Sequence, residues 1–181
     1  CPWNRDALLQ AAEDQEEFFR YCAGVAHEMF DHRGVGGSVH LRIDRMDLPL
    51  KKGVSSSAAV CVLMASAFDT VYDLGLFPHE IMDLAYRGER LTGSQCGRMD
   101  QACTFGKTPV LLTFETAEAV RVEPIFPRQP LWLVLVDLGG RKDTIRILSD
   151  LQGAYDTAED LQQALGAENE RIVRTAYHAL T

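Results

Sequence analysis

Hydrophobic positions along this chain recur with a helical period in some stretches and alternate with a strand period in others. From about Asp6 to Asp31, Leu8, Leu9, Ala12, Phe19, Cys22, Ala26 and Met29 fall near helical spacing while acids fill the opposite face. That pattern predicts one long amphipathic helix, ended by Gly34, Gly36 and Gly37. "SVHLRIDRM" alternates Val39, Leu41 and Ile43 with polar residues, as a half-buried strand does. Ser57 to Leu74 is small and apolar around its whole circumference, which predicts a buried helix with Gly75 as its stop. Pro78 suits the first position of a further helix, "HEIMDLAYRGERL". "PVLLTFE", "AVRVEPI" and "LWLVLVDLGG" predict strands, the last apolar enough for a central place in a sheet. From Asp143 onward the pattern is helical, with breaks expected near Gly153 and Gly166. Helices and strands mix without strict alternation, so the expected class is α+β rather than a doubly wound sheet. No internal repeat or low-complexity segment interrupts this order.

Composition narrows the classes of function. The 181 residues are 46% hydrophobic and 24% charged, ordinary for a globular protein. The net charge of −8, with no basic stripe to offset it, argues against a nucleic-acid partner. No apolar run approaches the roughly 20 residues of a membrane span, and no basic-plus-apolar leader opens the chain. The five cysteines are scattered, odd in number and form no C-x-x-C, so a reducing, cytoplasmic setting is expected. Both ends read as cut, as in a piece of a longer protein.

"LPLKKGVSSSAAV", residues Leu48 to Val60, carries the first candidate chemistry. The order Lys52-Gly53 fails the Walker A pattern, whose lysine follows its glycine, and "GVSSS" lacks the second glycine of G-x-S-x-G. Two readings stay open. The serines can cap a helix. The helix N-terminus can equally bind a phosphate, with Gly53 allowing close approach and the hydroxyls of Ser56 and Ser57 as donors. A second constellation is "GERLTGSQCGRMDQACTFG", Gly88 to Gly106. On a helical wheel Glu89 lies beside the apolar face formed by Leu84, Ala85, Gly88 and Leu91, while Glu80, Asp83, Arg87 and Arg90 take the solvent side. A carboxylate there needs a partner, either a metal ion or a salt bridge. Asp100 follows the loop "TGSQCG", where it can act on a hydroxyl proton or serve as a cap.

Taken together, the two stretches resemble the GHMP kinases, the superfamily of galactokinase, homoserine kinase, mevalonate kinase and phosphomevalonate kinase. "LPLKKGVSSSAAV" is similar to the second motif of that family, and "GERLTGSQCGRMDQ" to the segment carrying its magnesium-ligating Glu and catalytic Asp. The order of the motifs and the eleven-residue step from Glu89 to Asp100 also match. The resemblance implies an α+β GHMP kinase fold with a ribosomal protein S5 domain 2-like N-terminal domain. Residues 1–130 would be part of the N-terminal ATP-binding domain, and 131–181 the start of the C-terminal domain. It implies ATP and Mg²⁺ as cofactors. Gly53, Val54, Ser55, Ser56, Ser57 and Ala58 would hold the phosphates, Ser57 and Glu89 would ligate Mg²⁺, and Asp100 would act catalytically on the acceptor hydroxyl. "SSSA" and "CG-x-MDQ" look closer to galactokinase and arabinokinase than to mevalonate kinase, where Ser55 is commonly glycine. The implied activity is ATP-dependent phosphorylation of a small molecule, a sugar at its anomeric hydroxyl, in the cytoplasm and with neither nucleic acid nor membrane as partner. The alternatives are a mevalonate-type kinase and a non-catalytic nucleotide-binding sensor of the same fold. Val54 departs from the family's usual leucine.

Other residues carry weaker signals. His27-Glu28 with His32 misses the zinc motif H-E-x-x-H by one residue, so two imidazoles would diverge on a helix. Lys51 and Lys52 read as solvated loop residues that can also touch phosphate. Arg98 suits either a structural ion pair or a contact with Asp100 or a phosphoryl oxygen. "DLGGRKDT", Asp137 to Thr144, reads either as a cleft-lining turn or as a turn capped by Asp143. Cys96 and Cys103 read as buried small residues rather than nucleophiles.

Overall fold

The computed structural model of the protein describes residues 2–14, 18–45, 54–106, 108–116, 119–136 and 144–181. The chain divides into two compact units, Cys1–Gly106 and Lys107–Thr181. Both candidate motifs fall in the first, although Lys51, Lys52 and Gly53 lie outside the described residues.

The first unit is helical. The stretch expected as one helix over 6–31 is two, α1 (Arg5–Glu13) and α2 (Arg20–Arg33). Asn4 caps α1 by accepting from the Ala7 N–H at 2.9 Å, and the extended backbone of Asp14 ends it. Glu13 and Asp14 put two acids at the negative end of the α1 dipole, where acids are least favoured. Periodicity alone cannot register that cost. Helix α2 ends at Gly34 (φ 62), whose left-handed turn lets the Val35 N–H reach the Met29 carbonyl.

Helix α3 (Ser56–Tyr72) and helix α4 (Pro78–Leu91) follow the hydrophobic pattern closely. Asp73 (φ 50), rather than Gly75, takes the left-handed position that ends α3. Pro78 opens α4 as expected, with Glu80 reaching back to accept the Phe77 N–H at 2.9 Å. The apolar faces of these helices meet in one core containing Val25, Met29, Cys61, Ala65, Phe68, Leu84 and Ala85. Trp3 covers it, packing on Phe30 and Phe68 and donating from Nε1 to the Val35 carbonyl at 3.1 Å. A 3₁₀ helix, Asp100–Phe105, packs on α3 and α4. Residues 39–45 pair with no strand among the described residues, and Leu41 and Ile43 are exposed. Alternation fixes which face is apolar, but it supplies no neighbouring edge for the backbone.

In the second unit, two of the expected strands, β1 (Val110–Phe114) and β2 (Val120–Pro124), pair antiparallel, with Leu112 opposite Val122. Residues 131–136 are not a strand: they pair with nothing among the described residues, and Trp132 is 91% exposed. A run this apolar needs partners on both edges and cover on both faces before it can be a central strand. Helix α5 (Thr144–Tyr155) runs through Gly153 without a break. Helix α6 (Glu159–Gln163) leads into a π turn, Ala164–Glu168, where Gly166 leaves helical geometry as expected, and then α7 (Asn169–Leu180). Helices and one small antiparallel sheet agree with the α+β class.

Helices α2 and α4 approach most closely at Gly24 and Gly88. A Cβ on Gly24 would lie 2.1 Å from the Gly88 carbonyl oxygen, and a Cβ on Gly88 would lie 2.6 Å from the Val25 nitrogen. The obstacles are backbone atoms, which cannot rotate aside, so an added methyl must separate the helices. Gly24→Ala is expected to destabilise the protein by at least the roughly 1–3 kcal/mol typical of overpacking. Urea denaturation of the two proteins measures it.

Candidate active site

The loop before α3 sets the site. Val54 is half-buried, and Ser55 follows in the left-handed region at φ 54 and ψ 42. A residue with a Cβ pays about 1–2 kcal/mol for that conformation. This is the position where the resemblance expects glycine in mevalonate kinases, and the backbone explains why glycine would be at ease. The first bond of α3 runs from the Ala59 N–H to the Ser55 carbonyl at 3.1 Å. The N–H groups of Ser56, Ser57 and Ala58 therefore precede the helical ladder, at the positive end of a 17-residue dipole. No side chain caps this terminus among the described residues. The hydroxyl of Ser57 is turned elsewhere.

It donates to Glu89 Oε1 at 2.8 Å, across 32 residues of sequence. Glu89 lies in the last turn of α4 and is only 3% exposed. Its other oxygen, Oε2, accepts from Gln101 Nε2, also at 2.8 Å. Thr92 closes the turn beneath by donating from Oγ1 to the Glu89 carbonyl at 2.7 Å. Burial pushes the Glu89 carboxyl above the usual carboxylate range. The Ser57 and Gln101 hydrogen bonds oppose that shift, and the charge of Asp100 adds to it. A buried acid held by neutral donors, with no cation paired to it among the described residues, has the chemistry to hold a cation.

Carboxylate and hydroxyl oxygens are hard ligands of the kind Mg²⁺ takes, and Glu89 and Ser57 would be the residues to hold it. Mg²⁺ also uses only one or two protein ligands when phosphates supply the rest, and the open N-terminus of α3 begins at the residue before Ser57.

Asp100 is exposed at the first position of the 3₁₀ helix, rather than in a loop. Its neighbour Gln101 is fully buried and ties that helix to Glu89. Gln101 escaped the sequence reading because a neutral amide in an irregular stretch has no periodic or charge signal; its place inside "CGRMDQ" was the available clue. Arg98 takes the structural option: it pairs with Asp83 at 3.8 Å and lies over the Tyr86 ring at 4.7 Å. Cys96 is half-buried, its thiol pushed up to about 11 by burial and by the charge of Glu89, and so is a poor nucleophile. Cys103 is exposed, not buried. His27 faces Glu28 at 3.6 Å and Asp31 at 3.7 Å, and His32 faces Glu28 at 3.3 Å, so both imidazoles approach the one Glu28 carboxylate. Among the described residues no three His, Cys, Asp or Glu side chains converge as a metal cluster. The turn at 137–143 lies outside the described residues.

Residues 20–107 match the family model of the GHMP kinases N terminal domain. That stretch contains α2, α3, α4 and the 3₁₀ helix, and with them every residue of the site. The match supports the GHMP kinase superfamily and points to ATP-dependent small-molecule kinases. No curated protein and no solved structure matches the chain. No helix among the described residues is long and apolar enough to cross a membrane.

The raised carboxyl of Glu89 has a consequence for stability. A proton held more tightly in the folded state stabilises the fold below the unfolded carboxyl range, and that contribution is lost as pH rises through the folded value. At neutral pH the ionised, desolvated Glu89 is therefore a cost. Glu89→Gln is expected to melt at or above the wild-type temperature near about pH 8, with the difference shrinking towards about pH 4. Melting temperatures of both proteins across that range, without divalent ions, check it.

Proposed function

We propose that this chain is part of an ATP- and Mg²⁺-dependent kinase that phosphorylates a hydroxyl of a small molecule, with a sugar 1-hydroxyl as the favoured acceptor. The observation that carries the proposal is the hydrogen bond from Ser57 to Glu89. It joins two motifs far apart in sequence, at the two residues that the family resemblance assigns to the cation. The family-model match over 20–107 supports the same reading. The sugar preference rests on "SSSA" and "CGRMDQ", and the S5 domain 2-like topology on the resemblance alone.

Phosphoryl transfer asks a protein mainly for positioning and charge stabilisation. The N–H groups at the start of α3, from Ser56 to Ala58, bind the phosphates, with Val54 and Ser55 shaping the approach and Gly53 completing the loop. Glu89 and Ser57 hold Mg²⁺, which when bound neutralises charge on the phosphate oxygens. Asp100, exposed beside this centre, accepts or orients the proton of the attacking hydroxyl. Glu89 is kept from that role by its burial and its two hydrogen-bond donors. The fold divides at Gly106 and Lys107. The domain boundary near 130 that the resemblance implies is retained as part of this proposal.

Asp100→Asn in the full-length protein tests the chemistry. It keeps the size of the side chain and removes its charge. Nucleotide affinity is expected to change little, while kcat falls by about 10²–10⁴, the usual range for a positioned acid or base. Acceptor-dependent ADP release, nucleotide titration and a thermal melt on the same variant decide the matter. A less stable variant that turns over at the wild-type rate per folded molecule would make Asp100 structural.

A further inference from the structure

We propose that Gln101 is a positioning residue for Glu89, fixing the carboxylate so that the oxygen beside Ser57 is the one presented to the divalent cation. The proposal rests on the reading that Glu89 and Ser57 hold Mg²⁺. A carboxylate at the end of a long side chain can turn either oxygen towards a ligand, and rotation about its terminal bond is soft. Here Oε2 is engaged by the Gln101 amide at 2.8 Å, and Oε1 alone stands at Ser57. The amide orientation follows from chemistry: an ionised carboxylate only accepts, so the nitrogen of Gln101 must face it.

The other end of the amide argues that the residue is more than filling. Gln101 is 0% exposed, yet its Oε1 has no hydrogen-bond partner among the described residues. A buried acceptor without a donor is costly, and methionine would fill a similar volume without that cost. The one polar contact the buried amide makes at hydrogen-bond length is the one to Glu89; its approach to Cys96 Sγ, at 3.9 Å, is long and weak. Gln101 also lies in the first turn of the 3₁₀ helix that begins at Asp100. One hydrogen bond therefore orients the cation ligand and anchors the segment that carries the proposed catalytic acid. Partners of this kind, which hold a metal's ligands in place, commonly govern metal affinity.

The test uses the full-length protein with Gln101→Met, which keeps length and bulk and removes the donor, alongside Glu89→Gln. Mn²⁺ binding in the presence of a non-hydrolysable ATP analogue, followed by electron paramagnetic resonance, reads the site without turnover. The Mg²⁺ dependence of ADP release reads it during turnover. Gln101→Met is expected to weaken Mn²⁺ binding about 10- to 100-fold. It should raise the half-saturating Mg²⁺ concentration correspondingly, lower kcat at saturating Mg²⁺ far less, and lower the melting temperature modestly, because Glu89 Oε2 loses its donor. Gln101→Asn, which withdraws the same amide by one methylene, gives the same reading should Gln101→Met fail to fold. If Glu89→Gln loses Mn²⁺ while a folded Gln101 variant binds it as wild type does, the positioning role is overturned and the cation site stands. If Glu89→Gln also binds Mn²⁺ normally, the cation site falls, and the role of Gln101 with it.

Discussion

A buried carboxylate held by neutral donors is the constraint around which the first unit is organised. Glu89 sits in the last turn of α4, almost wholly removed from water, and among the described residues no cation pairs with it. Two neutral donors offset part of its desolvation, one from the start of α3 and one from the 3₁₀ helix. They do not offset all of it, since the carboxyl remains pushed above its usual range. A fold selected for stability alone would replace this acid with an apolar residue. Its presence is most simply understood as a binding site whose ligand completes the electrostatics.

The helix packing makes that burial possible. Gly24 and Gly88 let the backbones of α2 and α4 touch, and Gly88 immediately precedes Glu89. With any side chain at the crossing, α4 would stand away from α2 and Glu89 would move with it. Helix α3 packs on both α2 and α4 in the same core, and the Ser57–Glu89 hydrogen bond brings the first turn of α3 level with the last turn of α4. The positive end of one helix thus faces a carboxylate near the negative end of another, and Ser57 bridges them.

Much of this was legible in the sequence. The all-round apolar run marked α3 as buried, Pro78 marked the start of α4, and the helical wheel put Glu89 at the margin of an apolar face. The strand character of β1 and β2 was read from the sequence, while their pairing was not. What failed did so for identifiable reasons. The break between α1 and α2 begins at the extended backbone of Asp14, which hydrophobic period does not record. Residues 39–45 and 131–136 have strand-like composition, but a strand is a relation between two segments, and neither pairs with another among the described residues. Gln101 was invisible because its role depends on a contact with Glu89, twelve residues away. The Gly24–Gly88 crossing is likewise a property of a pair, and two isolated glycines within helical patterns do not announce that they meet.

The two acids of the site illustrate how environment separates roles that sequence alone leaves interchangeable. Glu89 and Asp100 are both carboxylates, eleven residues apart, and either could in principle meet a cation or a proton. Burial and two donors fix Glu89 in one orientation, with its oxygens committed to a hydroxyl and an amide. That suits a ligand whose geometry must be constant and whose charge must be opposite. Asp100 opens a short helix at the surface, where a dissolved acceptor can reach it. Its negative charge also bears on Glu89, and two like charges in one site raise the benefit of binding a cation near them. A divalent ion would satisfy the buried acid and relieve its repulsion with the exposed one. The division of labour between cation ligand and base therefore follows from where the fold puts each carboxylate, with Gln101 marking the boundary between them.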